Sequence, residues 1–98
     1  MEPPLITALL SNAQEMGRTH ADTFDAQPSL KQLDEMKEGD VVKIQTNKPA
    51  ERFWCIINSI KGETITAEVN NVLVGLPWPV GMKLRFHRDC IYQLWDDA

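Results

Sequence analysis

The chain has 98 residues, 43% of them hydrophobic and 24% charged, and carries a formal net charge of −4. That length holds one domain around one core, and the composition excludes a disordered or low-complexity chain. The acidic balance argues against nonspecific nucleic-acid binding, which draws on basic surface, and no apolar stretch reaches the roughly 20 residues of a membrane-spanning helix.

The opening Met1-Glu2-Pro3-Pro4 lacks the positive and apolar regions of a secretory leader, so a cytoplasmic location is expected. Pro4 to Met16 reads as a helix. Proline suits a first turn, where its missing N–H had no partner. Leu5, Leu9 and Met16 fall near one face, with Ile6, Leu10 and Ala13 beside them, and Gly17 is a natural stop. That apolar stripe is expected to cover the sheet, or else to form a homodimer interface. Arg18 to Phe24 has no period and reads as irregular, with Phe24 as a core anchor. Pro28-Ser29-Leu30-Lys31-Gln32 opens a second, short helix with a capping box between Ser29 and Gln32. Leu30, Leu33 and Met36 are its expected inner face, and Gly39 its end.

From Gly39 onward, short β-rich runs alternate with turn residues. The expected strands are Val41–Thr46, Phe53–Ile60, Thr64–Val69, Met82–Phe86 and Ile91–Trp95. The second is apolar on both faces, with Phe53, Cys55 and Ile57 on one and Trp54, Ile56 and Ile60 on the other, so it should be central or covered by the N-terminal helix. Lys61-Gly62-Glu63 is a hairpin connection. Val72-Leu73-Val74 reads as a short edge strand, and Arg88-Asp89-Cys90 as one tight helical turn. The expected fold is α+β: a five-stranded antiparallel SH3-like barrel or strongly bent sheet, with an N-terminal helix and a short second helix. The layout is a single domain over 1–98, with the first helix in 1–17, an irregular segment and short helix in 18–38, and the barrel in 39–98.

Several short motifs, in order, resemble the YegJ-like proteins, small bacterial and prophage-encoded domains of unassigned function. They are Thr19-His20-Ala21-Asp22-Thr23-Phe24, Gly39-Asp40-Val41-Val42-Lys43, Glu51-Arg52-Phe53-Trp54 and the closing strand pair. The resemblance covers Thr19 to Trp95. It departs where the family carries a leucine–asparagine–proline stretch and this chain reads Val69-Asn70-Asn71-Val72. It implies a mobile-DNA setting and supplies no activity.

Candidate chemistry is sparse. His20-Ala21-Asp22 and His87-Arg88-Asp89 could together ligate a divalent metal in a small enzyme. With no further ligand cluster, the expectation is no metal and no cofactor. His87-Arg88-Asp89 shares letters with a kinase catalytic loop, whose other parts are absent. Cys90 lies three residues after His87, yet it begins an apolar strand where burial makes a thiol inert; Cys55 reads the same way. No catalytic residue is assigned. The stronger pattern is aromatic and basic. Lys83, Arg85 and His87 share one strand face, Arg88 follows, and Arg52 and Trp78 could join them, Trp78 as an exposed anchor between two prolines. Trp54 reads as core. The expected function is a non-catalytic protein-binding module serving as an accessory or inhibitory factor, with a nucleic-acid-binding barrel as the alternative.

Overall fold

Successive side chains of a strand point to opposite faces of the sheet. The computed structural model describes residues 3–19 and 28–95. Its strands are β1 (Val41–Gln45), β2 (Arg52–Lys61), β3 (Thr64–Val69), β4 (Lys83–His87) and β5 (Gln93–Leu94). They form one open antiparallel sheet in the order β4-β3-β2-β1-β5, each within a few residues of its predicted run. Val42 and Ile44 of β1, Phe53, Cys55 and Ile57 of β2, Ile65, Ala67 and Val69 of β3, and Leu84 and Phe86 of β4 are all buried. These side chains make the inner wall. Among the described residues, no helix is long and apolar enough to cross a membrane.

Alternation misplaces one residue. Ile60 was expected on the outer face beside Trp54 and Ile56. The pairing of β2 with β3 shifts between Ile57 and Ser59, and this bulge inserts one residue into the period. Ile60 therefore pairs with Ile65 and packs against the core.

The N-terminal helix predicted over Pro4–Met16 is not formed as such. Residues 3–11 instead cross from one side of the sheet to the other. Arg85 N–H donates to Pro4 O at 2.9 Å, and Ile6 N–H to Arg85 O at 2.8 Å, so the segment pairs with the edge of β4. A 3-10 turn over Thr7–Leu9 follows. Then Ser11 N–H reaches Gln45 O and Asn47 N–H reaches Leu9 O, each at 2.9 Å, at the far end of β1. Bonds to two strands outweigh the helical ladder over these few residues, since a short helix is marginal by itself. Ile6 and Leu10 point into the core, and Leu5 and Leu9 are exposed. Helix α1 starts later, at Ala13–Thr19, where Asn12 Oδ1 accepts from Glu15 N–H at 2.8 Å as an N-terminal cap. Gly17 lies inside α1, and Arg18 and Thr19 are helical. Ile6, Leu10 and Ala13 are buried in their own chain, whereas Leu5 and Leu9 of the stripe considered for a homodimer stay exposed. Nor does this segment cover the outer face of β2; α1 packs near a 3-10 turn at Arg88–Cys90, the tight turn expected there.

Helix α2 (Leu30–Asp34) carries the expected capping box, Ser29 Oγ accepting from Gln32 N–H and Gln32 Oε1 from Ser29 N–H. Leu33 and Met36 are buried, whereas Leu30 is exposed, because so short a helix presents only one turn to the core. Val72-Leu73-Val74 is not a strand. The Glu51 carboxylate takes the N–H groups of Val74 and Gly75 at 2.7 and 2.9 Å, which removes them from any ladder. Phe24 lies outside the described residues. The N-terminal crossing yields a direct test. Replacing buried Ile6 with Ala should lower the unfolding free energy by about 3 kcal/mol, and exposed Leu5→Ala by less than about 0.5 kcal/mol, both read from urea denaturation.

Candidate functional site

Most of the cations expected to form a free basic wall are engaged by the chain itself. Lys83, Arg85 and His87 do share the outer face of β4, opposite Glu68, Thr66 and Thr64 of β3. Lys83 is exposed. Arg85 Nε donates to Pro3 O at 2.7 Å. His87 Nδ1 accepts from Asp89 N–H at 3.1 Å, and Nε2 lies 2.7 Å from Glu63 Oε2; the neutral ring thus carries its proton on Nε2 and donates it to Glu63. Arg88 is paired with Asp34 of α2, and that hydrogen bond raises the guanidinium pKa further above its ordinary value. Arg52 lies elsewhere, on β2. Its Nε donates to Gln45 Oε1, and its guanidinium carbon sits 5.0 Å from the centre of the Tyr92 ring.

Trp78 is half-buried rather than a free anchor. Its ring meets Phe53 edge-on at 6.2 Å between centroids, on the inner side of β2 and away from the outward cations of β4. With Leu9, Thr46, Asn47, Lys48 and Leu76 it lines a hollow of about 320 Å³.

The proposed metal ligands are not brought together in what the structure describes. His20 and Asp22 lie outside the described residues. His87 Nδ1 and Asp89 Oδ2 are 3.7 Å apart, and no group of three potential ligands converges among the described residues. Both thiols are buried. Burial pushes Cys55 from 9.0 up to about 12. Burial, and then the Asp89 carboxylate, pushes Cys90 to about 11. Neither thiol is a nucleophile near neutrality.

A different grouping lies on the outer face of β2, β1 and β5, where Arg52 and Trp95 are exposed and Val41, Lys43, Trp54 and Ile56 are half-buried. Arg52, Trp54 and Ile56 stand opposite Gln45, Lys43 and Val41 of β1. Trp95 follows β5, its N–H donating to Val41 O at 2.8 Å. The Trp54 and Trp95 rings meet edge-to-face, 5.2 Å between centroids at 83°, and Lys43 Nζ lies 4.7 Å from the Trp54 ring centre. Trp54 is held from behind. Asn70 N–H donates to its carbonyl at 2.9 Å, and Asn71 Oδ1 accepts its N–H at 2.6 Å, so two asparagines continue the β3 ladder past its last residue. Trp95 is 58% exposed, unusual for so large an apolar ring, and it stands between two clefts. One is lined by Val41, Trp54, Asn70 and Asn71. The other faces α2.

Reading Trp54 as core and Trp95 merely as a closing-strand residue missed this pair. A signal existed: Trp54 is two residues from Arg52, and residues two apart on a strand share a face. No family model, curated protein or solved structure matches the chain.

The thiols give a pH prediction. A group whose folded pKa is raised contributes stability that is complete below its unfolded value and is lost as pH rises. Stability should therefore fall as pH rises from 9.0 toward 12, and a Cys55→Ala, Cys90→Ala double variant should show a shallower fall in urea titrations. At pH 8 neither thiol should react with a thiol reagent until the chain is unfolded.

Proposed function

We propose that this chain is a non-catalytic protein-binding module whose contact surface is the outer face of β1, β2 and β5, centred on Trp95 and Trp54. The observation that carries this is an indole 58% exposed yet fixed edge-on against a second indole. Rigid, exposed tryptophan supplies large contact area at little entropic cost and is favoured at interface hot spots. The basic residues of β4 and of the turn after it are a weaker candidate, because Arg85, His87 and Arg88 already have partners within the chain.

We read the fold as an SH3-like small barrel. Support comes from the strand order, the 3-10 turn between β4 and β5 and the N-terminal segment that hydrogen-bonds to both β4 and the end of β1. The YegJ-like resemblance adds the setting: a cytoplasmic accessory or inhibitory factor carried by mobile DNA. The alternative is single-stranded nucleic acid, for which Lys43 and Arg52 beside tryptophans are the favouring feature. The net charge of −4 weighs against it.

The test is affinity capture from bacterial lysate with wild-type and Trp95→Ala protein. The variant should recover at least about tenfold less of the same partner; equal recovery overturns the assignment of the surface. Binding of labelled oligonucleotides that weakens steeply as salt rises would favour the alternative instead.

A further inference from the structure

The second cleft beside Trp95 has a chemistry of its own. It has a volume of about 300 Å³ and lies between the end of α2 and the strands β1 and β5. Met36, Val41, Leu94 and the Trp95 ring supply its apolar walls, and Glu35 and Asp40 its charge. No described lysine or arginine lines it. That volume is at the lower end for small-molecule sites and suits one long side chain.

The two carboxylates are differently held. Asp40 sits in a fixed turn: its Oδ2 accepts from Lys37 N–H at 3.0 Å, its N–H donates to Lys37 O and its O accepts from Ile57 N–H, and Gly39 before it has φ +92°. Glu35 is the C-terminal cap of α2. Neither carboxylate belongs to an ion pair among the described residues, unlike Asp34 one position before Glu35, which holds Arg88.

From this geometry we infer that the cleft receives a lysine or arginine side chain of a partner protein, its stem against Met36, Val41 and Leu94 and its cation between Glu35, Asp40 and the Trp95 face. The inference rests on the binding-module reading and names what that surface recognises. Long cationic side chains bury their stems on apolar surface while the head stays polar. An indole face attracts a cation, and two carboxylates that form no ion pair among the described residues add to that attraction. The net charge of −4 steers basic partners toward the chain. The same two carboxylates repel phosphate, so this half of the surface disfavours nucleic acid.

The test is amide and indole NMR of the labelled full chain, titrated at low salt with three blocked tripeptides: Gly-Lys-Gly, Gly-Glu-Gly and Gly-Leu-Gly. Gly-Lys-Gly should shift the Glu35 and Asp40 amides and the Trp95 indole N–H in a saturable way, and Gly-Glu-Gly should not. A Glu35→Gln, Asp40→Asn variant keeps shape and the Lys37 hydrogen bond, and should bind Gly-Lys-Gly about fivefold more weakly with an otherwise unchanged spectrum. Unchanged affinity in that variant overturns the inference. If Gly-Leu-Gly or Gly-Glu-Gly moves Trp95 and Gly-Lys-Gly does not, the basic occupant is wrong while the surface stands. If Trp95 responds to none of them but partner capture still depends on it, the basic occupant is again overturned. If capture is also independent of Trp95, both readings fall.

Discussion

The pairing of Pro4 and Ile6 with Arg85 decides how the rest of the molecule is arranged. A strand at the end of a sheet presents a row of unpaired N–H and C=O groups, a template for association. Here Arg85 N–H and O on that edge are satisfied by the chain's own N-terminal segment. A few residues later the segment hydrogen-bonds again, to Gln45 and Asn47 beyond the other side of β2. Between these two anchors, Ile6 and Leu10 are driven into the core. The crossing sets where α1 begins, and it places the Pro3 carbonyl over the Arg85 guanidinium.

The same crossing distributes the surface chemistry. By engaging β4, it takes Arg85 out of play, while the 3-10 turn after β4 brings Arg88 to Asp34 and His87 to Glu63 and the Asp89 amide. It stays clear of the outer face of β2. That face keeps Trp54, steadied by Asn70 and Asn71, by Lys43 and by Trp95. Edge-to-face aromatic contact and a cation over the ring each stabilise modestly. Together they fix the two indoles against each other on that face.

Some of this was legible in the residues and some was not. Val42 and Ile44, Ile65, Ala67 and Val69, and Leu84 and Phe86 alternate cleanly with polar residues, and each is buried as that period requires. Ser29 and Gln32 marked the start of α2 by their chemistry. Each difference has a specific physical cause. Leu5 to Met16 has helical spacing, but spacing does not reveal competing hydrogen bonds from β4 and β1; the cap at Asn12 was the overlooked marker. Ile60 changed faces at a bulge that no residue type announces. Trp54 was judged by its apolar neighbours rather than by its parity with Arg52. The basic residues of β4 share one face, as a period of two requires, yet pairing with Pro3, Glu63 and Asp34 joins residues far away in sequence.

The sequence alone determined where β1 to β4 run and which side chains of β1, β3 and β4 face inward, because these follow from a period of two and from turn chemistry within a few residues. Only the tertiary structure decided which outward side chains are spent on the chain itself and which stay exposed to solvent. Hydrogen bonds such as Arg85 to Pro3 and ion pairs such as Arg88 to Asp34 join positions distant along the chain. The meeting of Trp54 with Trp95 likewise depends on β1 lying between β2 and β5, a contact between distant residues that local pattern cannot specify.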